Sequence, residues 1–170
     1  MDAEHRLRRL EDRAELEDLI VRYFLASDND DAATLANCFV ADATFSVSGA
    51  LCGSSREAIV SFIGSERTKM GLTVHTPNYM LFSFADGGLE ASGLVGAHLE
   101  LVLGDQSVFG AVRYQDTYVH RGGRWRIRTR DMRVIHVAPW LEVGKSFMSD
   151  TPVRWPGLAP LPSDLPRVIG

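Results

Sequence analysis

The residues best suited to acid–base chemistry in this sequence are five histidines, at positions 5, 75, 98, 120 and 136. His5 lies in a charged N-terminal segment and His120 lies in a His-Arg-Gly-Gly-Arg turn, so exposure to solvent explains both. The other three lie in segments with the pattern of β-strands. Because imidazole changes its charge near neutral pH, a strand histidine that faces a cavity is a candidate general base or general acid.

His98 lies on a predicted strand face that favours a cavity wall. The residues that share this face are mostly small or apolar: Leu94, Gly96, Glu100 and Val102. His75 and His136 have similar strand surroundings. For all three, the alternative is a core histidine whose ring is satisfied by a hydrogen-bonding partner.

Asp28 is the carboxylate that we expect beside one of these histidines. It lies in the turn-favouring stretch SDNDD at the predicted end of the first helix, and Tyr23 lies about one helical turn before it. A carboxylate that holds an imidazole fixes its tautomer and stabilises imidazolium, which makes the histidine a better base. The alternatives are a helix cap for Asp28 and a place in the core for Tyr23.

Arg130 is the candidate cation. Alternation predicts that Arg126, Arg128 and Arg130 share one strand face with Met132. If that face turns toward a cavity, the guanidinium of Arg130 can orient an anionic or carbonyl oxygen; the alternative is a solvated ladder. The sequence contains no HExxH, GxSxG or catalytic-cysteine motif, so we expect neither a metal site nor acyl-enzyme chemistry.

The composition predicts one ordinary globular domain. The 170 residues are 45% hydrophobic and 24% charged, with a net charge of −4, which is typical of a chain that folds by burial and unlike that of a nucleic-acid-binding protein. Cys38 and Cys52 are too few for a disulfide framework. Neither a signal-peptide pattern nor a run of about 18 apolar residues occurs. We therefore expect a cytoplasmic protein without nucleic-acid or membrane partners.

Three helices are predicted ahead of the long strands. Apolar residues recur every three to four positions from Leu7 to Phe24, and this helix is expected to end at about residues 26–29. A short second helix is predicted through Leu35 and Phe39, then a short strand over 43–48. A third helix is predicted from about residue 55 to 71.

Four extended segments follow, at 72–84, 89–103, 107–120 and 124–137, separated by glycine-containing turns typical of hairpins. Helices first and strands later predict an α+β fold, with a curved mixed or antiparallel sheet wrapped around the N-terminal helices. Residues 1–149 are predicted to form this single domain. Residues 150–170 contain five prolines and form an apolar tail, which we expect to pack on its own or a neighbouring subunit.

Four stretches carry a resemblance to a known family: LEDRAELEDLIVRYFLASDNDD, ADATFSV, TVHTPN and RYQDTYVHRGGRWRI. Over about residues 7–140 the chain resembles the SnoaL-like superfamily of cone-shaped α+β barrels, which share the nuclear transport factor two-like fold. Its members include dehydratases, a dehydrochlorinase, isomerases, polyketide cyclases and non-catalytic subunits. The resemblance therefore implies the fold more strongly than the reaction.

Individual positions resemble the dehydratase and dehydrochlorinase branch. Asp28, His75 and His98 are similar to the aspartate and two cavity histidines of scytalone dehydratase, whose water-orienting tyrosines have no counterparts here. Bile acid 7α-dehydratase has a set that Tyr23, Asp28, His75 and Arg130 resemble. Hexachlorocyclohexane dehydrochlorinase has a similar aspartate, histidine and arginine, but a lysine at the position of Tyr23.

The resemblance implies a cofactor-independent lyase in which His75, oriented by Asp28, removes a proton. Tyr23 or His98 is then the acid, and Arg130 holds a substrate oxygen. We expect a hydrophobic, ring-containing substrate, because the apolar residues available to line the cavity are Phe45, Val47, Phe62, Met80, Phe82, Val112, Tyr114 and Met132. The alternatives are an isomerase or polyketide cyclase of the same fold, or a non-catalytic binding or assembly subunit. Family likeness also implies a homo-oligomer, with a trimer favoured over a dimer.

Overall fold

The structure, a computed structural model, describes residues 2–165 of the chain. Its helices are α1 (Ala3–Asp28), α2 (Ala32–Asn37), α3 (Arg56–Arg67) and α4 (Val143–Ser146), with a short 3-10 turn at Trp140–Glu142. Its strands are β1 (Phe39–Val47), β2 (Ala50–Gly53), β3 (Met70–Phe84), β4 (Glu90–Leu103), β5 (Gln106–Arg121) and β6 (Arg124–Pro139). Within the described range, the helices include none long and apolar enough to cross a membrane.

Each of the first three helices begins at a side chain that caps it. Asp2, Asp31 and Ser55 accept hydrogen bonds from the backbone amide three residues ahead, at 2.8, 3.0 and 3.2 Å. These bonds satisfy amides that have no partner inside the helix. Because Asp2 caps α1, the helix begins before Leu7, where the apolar periodicity starts.

Strands β1 and β2 differ most from the sequence prediction. Phe39, which is predicted to lie in the second helix, begins β1 because it pairs with Ile127 of β6. The turn after β1 passes through Gly49 in the left-handed region (φ 79°), and the chain returns as β2, which the sequence pattern does not predict. The four long strands begin and end within two residues of their predicted limits.

One sheet joins the six strands in the order β2-β1-β6-β5-β4-β3. Neighbouring strands are antiparallel except for β1 and β6, which run parallel. The sheet is curved and unclosed, and the N-terminal helices pack against it. The predicted α+β class with a mixed, curved sheet around N-terminal helices is therefore confirmed.

The core lies between α1 and the inner face of the sheet. Leu16, Ile20 and Phe24 recur at helical spacing on α1 and are at most 2% exposed. They belong to one buried cluster with inward-facing strand residues such as Val95 and Ile127. Burial of this apolar face holds α1 in place, and α1 ends beside β3.

The tail packs on its own chain as far as residue 165. Val153 forms bridges to Val137 of β6 and to Leu161 within the tail. The side chain of Asp164 accepts hydrogen bonds from the Val134 amide at 2.7 Å and the Ser48 hydroxyl at 2.6 Å. Residues 166–170 of the predicted tail lie outside the described residues.

Cys38 is buried and Cys52 is half-buried, and neither forms a disulfide within the part of the chain that the structure describes. Burial raises the pKa of the Cys38 thiol to about 11, although the charge of Arg130 opposes this. The thiol is therefore protonated at neutral pH and behaves as a small apolar side chain.

Two glycines near α3 give opposite predictions for stability. At Gly53 an added Cβ would lie 2.9 Å from the backbone nitrogen of Ile59, which cannot move aside without shifting α3. We expect Gly53→Ala to lower the free energy of unfolding by about 1–3 kcal/mol. Gly64 lies inside α3 with open space at the position of an added Cβ. Gly64→Ala should therefore raise the free energy of unfolding by about 0.5–1 kcal/mol. Chemical denaturation measures both changes, and changes of the same sign would contradict this account.

Candidate active site

Asp28 and His75 lie in contact although 47 positions separate them in the sequence. Asp28 is the last residue of α1, and β3 passes beside it. Nδ1 of His75 is 2.6 Å from Oδ1 of Asp28, and the His75 backbone amide donates to Oδ2 at 2.9 Å. The ring of Phe24 stacks on the imidazole at 5.2 Å with an interplanar angle of 15°. These contacts fix both the position and the plane of the imidazole.

The charge of Asp28 sets the tautomer of His75. Burial alone would raise the pKa of Asp28, but hydrogen bonds from His75 and Thr73, together with the charge of His75, outweigh it and lower that pKa. Asp28 is therefore an ionised carboxylate at neutral pH and can only accept hydrogen bonds. Nδ1 of His75 must carry the proton of the neutral ring, which leaves the lone pair on Nε2 as the base.

His75 faces a cavity of about 480 Å³. Most of its wall is apolar, as is usual for sites that bind small organic molecules. The strands and α3 supply Phe45, Val47, Phe62, Ile63, Met70, Leu99, Leu101, Leu103 and Met132, and the tail supplies Trp155, Pro156 and Leu158. The polar members are Tyr23, Ser27, Glu66, Arg67, Lys69 and Tyr114. The cavity therefore combines the imidazole of His75 and a small group of polar side chains with a largely apolar wall.

Arg130 lies behind two tyrosines that line the cavity. Its guanidinium carbon is 4.1 Å from the centre of the Tyr23 ring and 4.6 Å from that of Tyr114. It donates to both carboxylate oxygens of Asp116, at 3.0 and 2.7 Å, and Tyr118 donates to the same carboxylate at 2.6 Å. Nη1 of Arg130 is buried and has no hydrogen-bonding partner within residues 2–165.

Burial keeps both cavity tyrosines neutral. It raises the pKa of Tyr23, with the charge of Arg130 opposing the shift, and it raises the pKa of Tyr114 well above its usual value. Each phenol can therefore donate a hydrogen bond into the cavity at neutral pH. The nearby guanidinium would stabilise negative charge that develops on Tyr23.

The structure brings most of the predicted site residues together. Those that line the cavity are Tyr23, Phe45, Val47, Phe62, His75, Tyr114 and Met132. Asp28 supports His75 from outside the lining, and Arg130 stands behind the tyrosines instead of facing a substrate as expected. Four predicted residues lie elsewhere: Met80, Phe82, His98 and Val112.

The prediction that His98 faces the cavity is wrong. His98 is exposed on the outer face of β4, where its ring lies 5.2 Å from that of Phe109. The inward residues are its neighbours Ala97 and Leu99, which are 2% and 5% exposed. The predicted alternation of side chains along β4 is correct, but the inward face is the opposite one. The stronger apolar character of the neighbouring positions is the signal that indicates the buried face.

Met80, Phe82 and Val112 are also wrongly predicted to line the cavity. Phe82 packs edge-on against Tyr118 at 5.7 Å, and Val112 is 1% exposed in the core. Met80 is half-buried against the same core. The inner face of the sheet extends beyond the cavity, so these side chains fill the core there.

His136 is a core histidine, as the alternative to a cavity position predicts, but within residues 2–165 only Nε2 of its two ring nitrogens has a hydrogen-bonding partner. Nε2 lies 2.5 Å from the hydroxyl of Ser146, whose own proton is donated to the Val143 carbonyl at 3.0 Å. The ring stacks on Phe147 at 4.0 Å. Burial lowers the pKa of His136, so the ring is neutral at pH 7.

A β-bulge separates Arg130 from the other arginines of β6. The register between β5 and β6 shifts between Thr117 and Tyr118, and this shift skips Arg128. Because an extra residue reverses which side chains face inward, Arg130 is buried, whereas Arg128 is paired with Glu90 at the surface at 2.8 Å. The predicted common face for the three arginines is therefore wrong.

Sequence reasoning did not predict several site residues. Among the lining residues these are Ser27, Ile63, Glu66, Lys69, Met70, Leu99, Leu101, Leu103 and Pro156, and the leucines follow directly from the wrong face assigned to β4. Two further groups support or complete the site. Thr73 and Arg67 reach Asp28 through hydrogen bonds that depend on the tertiary fold. The one available signal is that Thr73 stands two positions before His75, on the same strand face. Trp155 and Leu158 line the cavity, and their apolar character in a proline-rich tail indicates only that the tail packs somewhere.

Within residues 2–165, His, Cys, Asp and Glu side chains form no group of three or more that could hold a metal ion.

A curved, unclosed mixed sheet with N-terminal helices packed against it defines a protein of the nuclear transport factor two-like cone fold. Within that class, the chain belongs to the SnoaL-like domain family, whose model matches residues 8–131. The resemblance drawn from the sequence is thereby confirmed.

Solved structures show the same fold. A putative scytalone dehydratase from Novosphingobium aromaticivorans is 19% identical, with 78% of this chain and 89% of that chain covered and a TM-score of 0.72. The hexachlorocyclohexane dehydrochlorinase LinA-type3 from Novosphingobium barchaimii is 23% identical, with 78% and 92% covered and a TM-score of 0.72. An NTF2-like protein with a cystatin-like fold from Novosphingobium aromaticivorans is 26% identical, with 76% and 85% covered and a TM-score of 0.62. No curated protein matches the chain.

Proposed function

We propose that this protein is a lyase that removes water from a hydrophobic, ring-containing small molecule by acid–base chemistry. The observation that carries the proposal is the Asp28–His75 pair, whose basic nitrogen belongs to the wall of a largely apolar cavity. SnoaL-like family membership, and a protein named as a putative scytalone dehydratase and a dehydrochlorinase among structures of this fold, support an enzyme that converts a small molecule.

The proposed elimination begins at Nε2 of His75. This nitrogen takes a proton from a carbon next to a carbonyl or an aromatic ring, and the electron pair of the broken C–H bond forms a new C=C bond. The bond from the adjacent carbon to its hydroxyl oxygen breaks, and the hydroxyl leaves as water after it receives a proton. Asp28 stabilises the imidazolium that forms on His75. The reaction is redox-neutral, so its steps require no electron carrier.

Tyr23 is the proposed acid. It lines the cavity together with His75 and is neutral at physiological pH. The guanidinium of Arg130 lies against its ring and offsets part of the cost that burial places on the phenolate left after proton donation. The outer-face position of His98 removes it from this role. Arg130 thus supports the acid from behind, and the substrate oxygen is left to the phenols of Tyr23 and Tyr114.

A screen of hydroxylated ring compounds tests the proposal, with products identified by mass spectrometry. The expected result is a product that has lost one molecule of water, formed by the wild-type protein and not by His75→Gln. A product of unchanged mass would instead show an isomerase or a cyclase, which can start from the same proton abstraction. Binding without turnover across the screen, together with copurification of a large subunit, would favour the non-catalytic alternative.

A further inference from the structure

Thr73 and Arg67 form a hydrogen-bonded chain that ends on the carboxylate of Asp28. Nη1 of Arg67, in the last turn of α3, donates to the hydroxyl oxygen of Thr73 at 2.8 Å. Thr73 in turn lies 2.8 Å from Oδ1 of Asp28. The Thr73 residue is 4% exposed, so bulk water does not compete for its hydroxyl.

The direction of the hydrogen bonds from Arg67 through Thr73 to Asp28 is fixed by the chemistry of the guanidinium. A guanidinium can only donate, so the Thr73 oxygen accepts from Arg67 and its single proton is free to point elsewhere. That proton is directed at Asp28, which is ionised and only accepts. Oδ1 of Asp28 therefore receives one hydrogen bond from Thr73 and one from Nδ1 of His75.

Arg67 is itself held by a second carboxylate. Nε and Nη2 donate to the two oxygens of Asp30 at 2.8 and 3.2 Å. The Arg67 side chain is 12% exposed, whereas that of Asp30 is 65% exposed. Asp30 stands two residues after Asp28, in the turn that follows α1. One guanidinium thus joins the end of α3, the end of α1 and strand β3.

We infer that Arg67 and Thr73 are positioning residues for the Asp28–His75 pair. Arg67 occupies the oxygen of Thr73, so the Thr73 hydroxyl group donates its hydrogen bond to Asp28 and holds that carboxylate in place. The chain orients Oδ1 so that its other lone pair meets Nδ1 of His75, and it favours the ionised form of the carboxylate. The catalytic part of this inference rests on the proposed function, whereas the effect on Asp28 does not.

The titratable and charged groups that act on Asp28 come from several elements. His75 on β3 and Arg67 on α3 are the nearby cations, the former when protonated. Asp30 repels Asp28, and the buried phenol of Tyr114 on β5 interacts with it as well. Removal of Arg67 and removal of Asp30 should therefore act on Asp28 with opposite signs.

Titration of the Asp28 carboxyl carbon by NMR tests the inference without any substrate. In Thr73→Val the pKa of Asp28 should rise relative to wild type, because the carboxylate loses a donor, and Thr73→Ser should restore it. Arg67→Met should also raise it. Asp30→Asn also removes the Arg67–Asp30 ion pair, but it leaves the hydrogen bond from Arg67 to Thr73 in place. It should therefore not raise the pKa of Asp28.

Two results would overturn the inference. The first is the same pKa of Asp28 in Thr73→Val and in Thr73→Ser. The second is a rise in the pKa of Asp28 in Asp30→Asn that is as large as the rise in Arg67→Met. If Thr73→Val does not fold, the comparison of Arg67→Met with Asp30→Asn decides the question.

With a substrate in hand, Thr73→Val should lower kcat about tenfold with little change in KM, because a hydrogen bond to a charged group that supports the base is lost. An unchanged kcat would overturn the positioning role. If the pKa of Asp28 shifts as expected but the wild-type protein turns over none of the screened compounds, the link from Arg67 to Asp28 stands and the proposed function fails.

Discussion

Replacing His75 by glutamine lowers kcat by about 10²–10⁴-fold on any substrate that the wild-type protein dehydrates. Glutamine keeps a polar side chain at this position but has no nitrogen basic enough to take the proton. The surrounding structure should be preserved, because the imidazole contributes one hydrogen bond and one stacking contact to the wall. Steady-state kinetics measure the loss, and circular dichroism verifies the fold.

The matched control is His98→Gln. His98 is also a strand histidine, but it lies on the outer face of β4, away from the cavity. We expect its replacement to leave kcat and KM unchanged. A large loss in His98→Gln with full activity in His75→Gln would reject the proposed base.

Removing the carboxylate of Asp116 lowers the free energy of unfolding by about 3–5 kcal/mol, because a buried charge then has no partner. Asp116 and Arg130 have fully buried side chains and are joined by two hydrogen bonds. In Asp116→Ala the guanidinium keeps its charge between Tyr23 and Tyr114, where water does not reach it. Chemical denaturation followed by fluorescence measures the change.

Two variants separate the buried charge from general disruption. Glu90→Ala breaks the exposed ion pair with Arg128 and should change stability by less than about 1 kcal/mol. The double variant Asp116→Leu/Arg130→Met removes both buried charges, so it should be more stable than Asp116→Ala. A double variant that is less stable than the single one would show that lost packing, and not the unpaired charge, causes the effect.

Local signals were sufficient to predict most of the elements. Glycine-containing turns bound the four long strands, and capping side chains such as Ser55 mark where helices begin. The apolar period of α1 correctly predicts its buried face from Leu16 to Phe24. These features depend on residues close together in the sequence, which is why a single sequence predicts them.

The errors arise where tertiary contacts or local irregularities, which the simple strand pattern does not contain, decide the outcome. Phe39 extends β1 only because β6 lies beside it, and the bulge near Arg128 reverses the side-chain direction of Arg130. His98 was placed on the wrong face because alternation alone does not say which face is buried. Only the first of these depends on strands far apart in the chain. The bulge lies within the β5–β6 hairpin, and the buried face of β4 is decided by which of its residues join the core.

The candidate site likewise contains residues that the sequence predicts and residues that only the tertiary structure places there. The pairing of Asp28 with His75 was a prediction that rested mainly on family resemblance, and the structure places these groups 2.6 Å apart. Arg67 and Thr73 escaped prediction because neither residue type nor spacing indicates a chain that crosses three elements. Trp155 entered the cavity wall through the docking of the tail, which a sequence pattern does not locate.

The cavity wall takes Tyr23 from near the beginning of the chain and Trp155 from near its end. During synthesis, α1 leaves the ribosome long before the strands that cover its apolar face. Leu16, Ile20 and Phe24 therefore lack part of their native partners until β6 has emerged, although α2 and β3 reach α1 earlier. Because Trp155 follows β6 in the sequence, the wall of the site is completed only after strands β1–β6 have all been synthesised.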